Sequence, residues 1–440
     1  MQQDITEWLL VIAYSALFLF LIRKSSFFRL KGVSGFWVES VFLMKVTAGI
    51  LLGLLYTYHY TDKSTADTWK FFDDSGIIFN SLFSRPGDFI RMFSGIGAGS
   101  PELRHYYESM NAWLNTDILY NDNKTIIRMN VLFRFFSLGN YYVHVVFVNM
   151  LSFAGLTALF RAFTRAMHNK EKLLFTGVFM APSVMFWGSG LLKDSIILAG
   201  LGILIYSFDK IINGEITLRR ILLFLCALTI LVFTKIYILG ILLPLLPAWY
   251  FSVKNENKYP IVYFVASAII FFIILFNIHY FLPEYKVSDI LYWKQRNFHV
   301  LAELTSAKSL IEIPQLEPGL KSIFINAPMA FVNSLTRPFL HDTGGNPLIL
   351  LSALETIMVL IFILVTAMFF KGKKLNDPLL IVAIGFSAGL LILSGLITPI
   401  LGALVRYKAP AIPFLIFALL NFIDRNKIDS LFRRITPGQE

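Results

Sequence analysis

The stretch GFWVESVFLMKVTAGILLGLLYTYHYTDKSTADTWKFFDD, residues 35–74, decides how this chain is read. Its first part, 35–58, is an apolar run long enough to cross a bilayer as a helix. It then opens into a polar segment carrying Asp62, Asp67, Asp73 and Asp74. Carboxylates beside a bilayer are costly unless solvated, paired or bound to a metal, so these four are the first candidates for a site.

The rest of the chain extends the first half of that pattern. Over 440 residues, 56% are hydrophobic and only 15% charged, with a mean hydropathy of +0.65. That composition excludes an ordinary soluble domain and predicts an all-α polytopic membrane protein, a single integral membrane domain over 1–440. Apolar spans fall near 8–22, 35–58, 141–161, 173–190, 195–208, 219–234, 236–252, 260–282, 346–370, 378–397 and 407–423, about eleven transmembrane helices. The run Trp8 to Ile22 follows the acidic MQQDITE and precedes basic residues instead of a small-residue cleavage site, so it is expected to stay as a membrane helix. The net charge of +11 sits mainly in short segments between spans, which is the distribution of topology signals and not of a nucleic-acid interface. The lone Cys226, inside an apolar run, excludes a disulfide framework or a cysteine metal site.

Basic clusters at 23–31, 161–172, 210–220, 254–258, 371–374 and 425–434 alternate with the spans and predict cytoplasmic segments. The amino terminus is then outside and the carboxyl terminus cytoplasmic. Two long loops, 59–140 and 283–345, both face the extracytoplasmic side. Within the first, the aromatic-rich pieces 76–93, 103–120 and 125–138 predict helices lying along the interface. The second mixes charges, prolines and glycines and predicts a small lid.

No Walker loop, dinucleotide fingerprint, His-Glu-x-x-His pair or nucleophile elbow is present, so an energy-rich substrate is expected to arrive through the membrane. The sharpest local sequence, APSVMFWGSGLLKD at 181–194, breaks a helix at Pro182 and allows a tight turn at its glycines. It also predicts a Lys193–Asp194 ion pair at the mouth of the bundle, and a turn able to offer backbone amides and a lysine to an anion. Lys235, Arg337, Arg406 and Tyr407 fall on the same predicted face. Basic side chains gathered there suit a phosphate, with acidic groups opposite serving as a base or holding a divalent metal. The histidines at 59, 105, 144, 299 and 341 are too scattered to define a metal site.

Asp73-Asp74 after the span 35–58, the interfacial segments beyond it, and Arg406-Tyr407 with Pro410 and Pro413 together resemble the GT-C superfamily of integral membrane glycosyltransferases. Residues 182–194 with Arg337-Pro338-Phe339 also look like bacterial O-antigen and exopolysaccharide polymerase-type membrane proteins. Both resemblances imply transfer of a sugar from a polyprenyl carrier to a glycan or lipid acceptor outside the cytoplasm, in the bacterial inner membrane. The carrier is a monophosphate for single transfer and a diphosphate for polymerisation. The expected mechanism is an inverting attack with Asp73 or Asp74 as base. Lys193, Lys235, Arg337, Arg406 and Tyr407 would hold the lipid phosphate, with Asp62, Asp67 and Asp194 in support. No cofactor is required, although Mg or Mn would be compatible. The expected partners are the polyprenyl-phosphate-linked sugar, its acceptor and membrane lipids, with no nucleic acid. A lipid or solute transporter is an alternative, and would show a weak two-half internal repeat and discontinuous helices near the membrane midplane, neither of which is visible in the sequence. In a non-catalytic scaffold of an envelope complex the external charges would be a partner surface.

Overall fold

The computed structural model describes residues 2–58, 66–113, 121–167, 169–304, 309–372, 375–424 and 427. It is helical throughout, with no strand among those residues. In chain order the helices are α1 (Gln2–Lys24), α2 (Gly35–Tyr58), α3 (Asp67–Ser84), α4 (Pro86–Ser94), α5 (Arg104–Glu108), α6 (Asp122–Ser137) and α7 (Tyr141–Arg165). There follow α8 (Glu171–Phe179), α9 (Pro182–Trp187), α10 (Lys193–Ile212), α11 (Leu218–Thr234), α12 (Ile236–Leu242), α13 (Leu245–Lys254) and α14 (Pro260–Asn277). The chain closes with α15 (Val287–Leu304), α16 (Leu320–Thr336), α17 (Pro347–Met368), α18 (Pro378–Ile397), α19 (Leu401–Lys408) and α20 (Ile412–Phe422).

Nine helical stretches among the described residues are long and apolar enough to cross a membrane, as an integral membrane protein requires. Two segments predicted as spans are not in that set. The segment 173–190 divides into α8 and α9, because Pro182 has no N–H to give to a continuous ladder. The segment 219–234 is α11, whose 17 residues reach about 25 Å at the helical rise, short of a ~30 Å hydrocarbon core. The span ending the chain is itself broken, since a 3-10 turn at Ala409–Ala411 separates α19 from α20.

Contacts divide the chain into two compact units: Met1–Ala162 with Val184–Leu239, and Phe163–Ser183 with Gly240–Glu440. In the first, α7 and α10 cross backbone to backbone, since a Cβ at Gly202 would overlap the Gly155 carbonyl and one at Gly155 would overlap Ala199. Small residues at such a crossing allow the close approach that drives helix association in lipid. Of the predicted interfacial segments of the first long loop, 76–93 falls on α3 and α4 and 125–138 on α6, whereas 103–120 is helical only through Glu108 and its residues 114–120 lie outside the described residues. Arg134 of α6 ties that helix to α3 by donating to the Ser75 hydroxyl (2.8 Å) and the Phe72 carbonyl. Ile90, Ile96, Phe135 and Phe136 are exposed on this layer, an apolar face of the kind that sits against headgroups.

In the second unit, α16 runs antiparallel along α18. Gly395 meets the Ala330 carbonyl, and the Ser334 hydroxyl donates to the Leu391 carbonyl at 2.7 Å. The loop 283–345 thus contributes a helix packed along a candidate membrane span. Nearby, Phe163 stacks on Phe417 at 4.1 Å, and Lys170 donates to the carbonyls of Leu420 and Ile423, which have no partner inside α20.

Candidate functional site

In the first unit, the sequence FFDD at 71–74 places two carboxylates side by side on α3, and helical geometry turns them in different directions. Asp73 is exposed. Asp74 is fully buried: its Oδ1 accepts from the Asn111 backbone N–H (2.9 Å) and Nδ2 (2.7 Å), and its Oδ2 from Trp113 Nε1 (2.8 Å). The indole so held stacks on Phe71, with centroids 4.9 Å apart and planes 9° from parallel. Cations stand at both ends of this pair, Lys70 Nζ 5.5 Å from the Trp113 ring and Lys193 Nζ 5.8 Å from the Phe71 ring. Arg134 lies close enough to Asp73 to feel its charge: burial lowers the guanidinium to a pKa of about 10, and Asp73 opposes that shift. Asp67 occupies the first turn of α3, where a carboxylate complements the helix dipole. Asp62 and His59 lie outside the described residues.

The predicted Lys193–Asp194 pair is not formed. Neighbouring residues on the first turn of α10 diverge, and each finds another partner. Lys193 reaches Asp122 Oδ2 at 2.6 Å, and Asp194 pairs with Lys235 at 3.1 Å. The second pair is nearly dry, its side chains 9% and 2% exposed, so losing either ion leaves the other buried without this contact. The turn Gly188-Ser189-Gly190 also differs from the expected anion cradle. Its carbonyls point inward, the Gly188 oxygen to Lys45 Nζ (2.8 Å) and the Ser152 hydroxyl (2.8 Å), Ser189 to Asn149 Nδ2 (2.8 Å) and Gly190 to the Ser195 hydroxyl (2.6 Å). Lys45, buried within α2, is therefore a clamp on this turn, and its lone charge inside an apolar run is the signal that marks it. His144 is likewise buried, between Asn130 Oδ1 and the Ser137 hydroxyl, each at 2.8 Å.

Arg337, Arg406 and Tyr407 belong to the second unit. The Arg337 guanidinium holds Asp342 and His341, and its carbonyl accepts from Lys408 Nζ at 2.6 Å. Arg406 and Tyr407 are half-buried on α19, with the Tyr407 ring edge-on to Phe298. Beside them lies a polar cluster that the sequence reading passed over. Lys408 is buried and also donates to the Ser334 carbonyl (3.0 Å), while Glu355 of α17 accepts from Ser183 N–H (2.9 Å) and hydroxyl (2.8 Å). Glu355 and Lys408 line a common cavity of about 10 Å³, room for a single water. Glu355 also borders an apolar groove of about 280 Å³ with Gly177, Pro182, Phe362 and Ile416. Two interrupted apolar stretches, α8–α9 and α19–α20, have their breaks here. A lone carboxylate inside 346–370 was the available signal. Among the described residues, no three His, Cys, Asp or Glu side chains gather as metal ligands would.

No protein family matches this chain, and no curated protein or solved structure proved similar to it. What the fold defines is an integral membrane protein of helices, carrying an acidic and aromatic site on a layer of shorter helices.

Proposed function

We propose that the protein is a membrane glycosyltransferase that takes a sugar from a polyprenyl-phosphate carrier on the extracytoplasmic face and joins it to a glycan or lipid acceptor of the cell envelope. The observation that carries this reading is the exposed Asp73 on α3, the helix that also presents the Phe71–Trp113 stack with Lys70 and Lys193 at its two ends. Asp73 has the accessibility a base needs. Asp74, with both oxygens taken by three donors, is the positioning residue that holds Trp113 and hence the platform.

In the proposed step Asp73 takes the proton of an acceptor hydroxyl. The freed oxygen attacks the anomeric carbon from the face opposite the carrier, and the bond to the carrier phosphate breaks with its electron pair leaving on phosphate. Lys193, fixed by Asp122, and Lys235, fixed by Asp194, are proposed to supply positive charge where that negative charge develops. Arg337, Arg406 and Tyr407 are proposed as carrier-binding residues of the second unit. A divalent Mg or Mn is compatible with the chemistry and is not required by it. The test is transfer of radiolabelled sugar from polyprenyl-phosphate donors by the purified protein in nanodiscs. The reading predicts turnover that Asp73→Asn lowers by about 10²–10⁴; turnover unaffected by that change would refute the assignment. Polymerisation of diphosphate-linked repeats is distinguished in the same assay by the donor accepted and the product length.

A second reading, transport of a lipid or solute, is favoured by one specific observation. Two apolar spans are interrupted beside the buried Glu355 and Lys408, the discontinuous-helix pattern used by many secondary transporters. Flux through proteoliposomes that Glu355→Gln abolishes, with no sugar transfer, would select it.

A further inference from the structure

In the layer of short helices in the first unit, Arg91 pairs with Glu102 and Arg104 with Glu108, and Asp122 of α6 takes Lys193 of α10. Lys124 and Arg128 form no such pair. They stand one turn apart on α6, both half-buried, and among the described residues neither meets a carboxylate. Two cations at this spacing repel each other, and partial burial removes the water that would otherwise screen them. Lys124 accordingly loses its proton more easily than a free lysine, through burial first and Arg128 second.

Both side chains are nevertheless held in place. Lys124 Nζ lies 4.9 Å from the Tyr107 ring centroid, a cation–π contact that fixes its direction. Tyr107 is in turn anchored by its hydroxyl to the Ala98 carbonyl at 2.8 Å. Arg128 Nε donates to the Met92 carbonyl at 3.0 Å, which orients the guanidinium and leaves Nη1 and Nη2 for another acceptor. Its plane lies over Gly95, where a Cβ would come within 2.8 Å of Nη2. Gly95 also adopts φ +83, so this position calls for glycine twice, for the turn and for the guanidinium above it.

We infer that Lys124 and Arg128, set against Tyr107 and Gly95, form a binding site for a phosphate dianion or diphosphate, carried on a lipid headgroup or free in solution. The guanidinium edge takes two oxygens in parallel and the ammonium a third. One dianion then relieves the repulsion that the empty site maintains. The inference concerns binding alone and stands apart from the proposed reaction.

The test uses the full-length protein in phosphatidylcholine nanodiscs. Binding is read by thermal shift and by retention of radiolabelled pyrophosphate, and in parallel by thermal shift in nanodiscs doped with phosphatidic acid. The wild type is expected to be stabilised by at least one of these anions. The variant K124Q/R128Q should bind at least about 10-fold more weakly, while K124R, which keeps both charges and the Arg128 fork, keeps the binding. Response to pyrophosphate alone identifies a soluble ligand, and response to phosphatidic acid alone a lipid one. Equal anion responses in the wild type and K124Q/R128Q would overturn the inference.

Discussion

Asp73 and Asp74 are adjacent in sequence and of the same residue type, yet the structure assigns them opposite consequences on substitution. Replacing Asp74 with alanine leaves the Asn111 N–H, Asn111 Nδ2 and Trp113 Nε1 without their acceptor. Each stranded donor to a charged group costs about 1–3 kcal/mol. Asn111 is half-buried and partly recovers water, so the sum should settle near the ~3–5 kcal/mol typical of breaking a buried ionic arrangement. Across the unfolding entropy of a 440-residue chain, that loss corresponds to a melting temperature lower by about 3–5 °C. Asp73→Ala, by contrast, removes an exposed side chain whose charge the half-buried Arg134 feels, and should cost no more than about 1 kcal/mol. The assay is thermal unfolding of both variants in identical nanodiscs, with Trp113 reporting through its emission. Asp74→Ala should release the indole from the Phe71 stack and shift that emission; Asp73→Ala should not. If Asp73→Ala melts as low as Asp74→Ala, or if Asp74→Ala unfolds with the wild type, the division between a positioning carboxylate and an accessible one is refuted.

Three further outcomes follow from contacts elsewhere. A double-mutant cycle on Lys193→Met and Asp122→Asn should give a coupling of about 1 kcal/mol in unfolding, since the pair is close and largely shielded; a value indistinguishable from zero would mean the pair is not held. Gly202→Val should cost about 1–3 kcal/mol by forcing α7 and α10 apart, read as loss of monodisperse protein after mild heating, whereas Gly214→Ala, with open space around it though at φ +87, should cost no more than about 1 kcal/mol. Lys408→Met should destabilise more than the charge-neutral, hydrogen-bonding change Thr356→Ser, because it strands the Ser334 and Arg337 carbonyls together; equal melting curves would show that other donors replace the ammonium.

The helices were legible because the bilayer imposes length and polarity on them directly, as in 35–58, 260–282 and 378–397, all of which return as helices at nearly the predicted bounds. Legibility failed where a property depends on neighbours distant in sequence. Window hydropathy could not distinguish the interrupted 173–190 from a span, although Pro182 stood in view as the reason. In the candidate site, residue types were readable and partners were not. Lys193 and Asp194 suggested a pair by adjacency, but a helix turns successive side chains about 100° apart, so Asp122 and Lys235, 71 and 41 positions from the residues they meet, become the partners.

The lone charges inside apolar runs argue the same point from the other side. Lys45, Glu355 and Lys408 looked like minor interruptions of hydropathy, and a sum over a window treats them so. In lipid, however, an ionised group must find polar partners inside the protein, and each of these three finds them across long sequence separations: Lys45 at 188–189, Glu355 at Ser183, Lys408 at Ser334 and Arg337. The partners are in large part backbone atoms freed where a helix stops, at Gly188, at the start of α9 and at the end of α16. A charge in a span and a break in another helix are therefore two halves of one structural solution. Reading them jointly, as a search for breaks that could satisfy each intramembrane charge, extracts from sequence the tertiary information that hydropathy averages away.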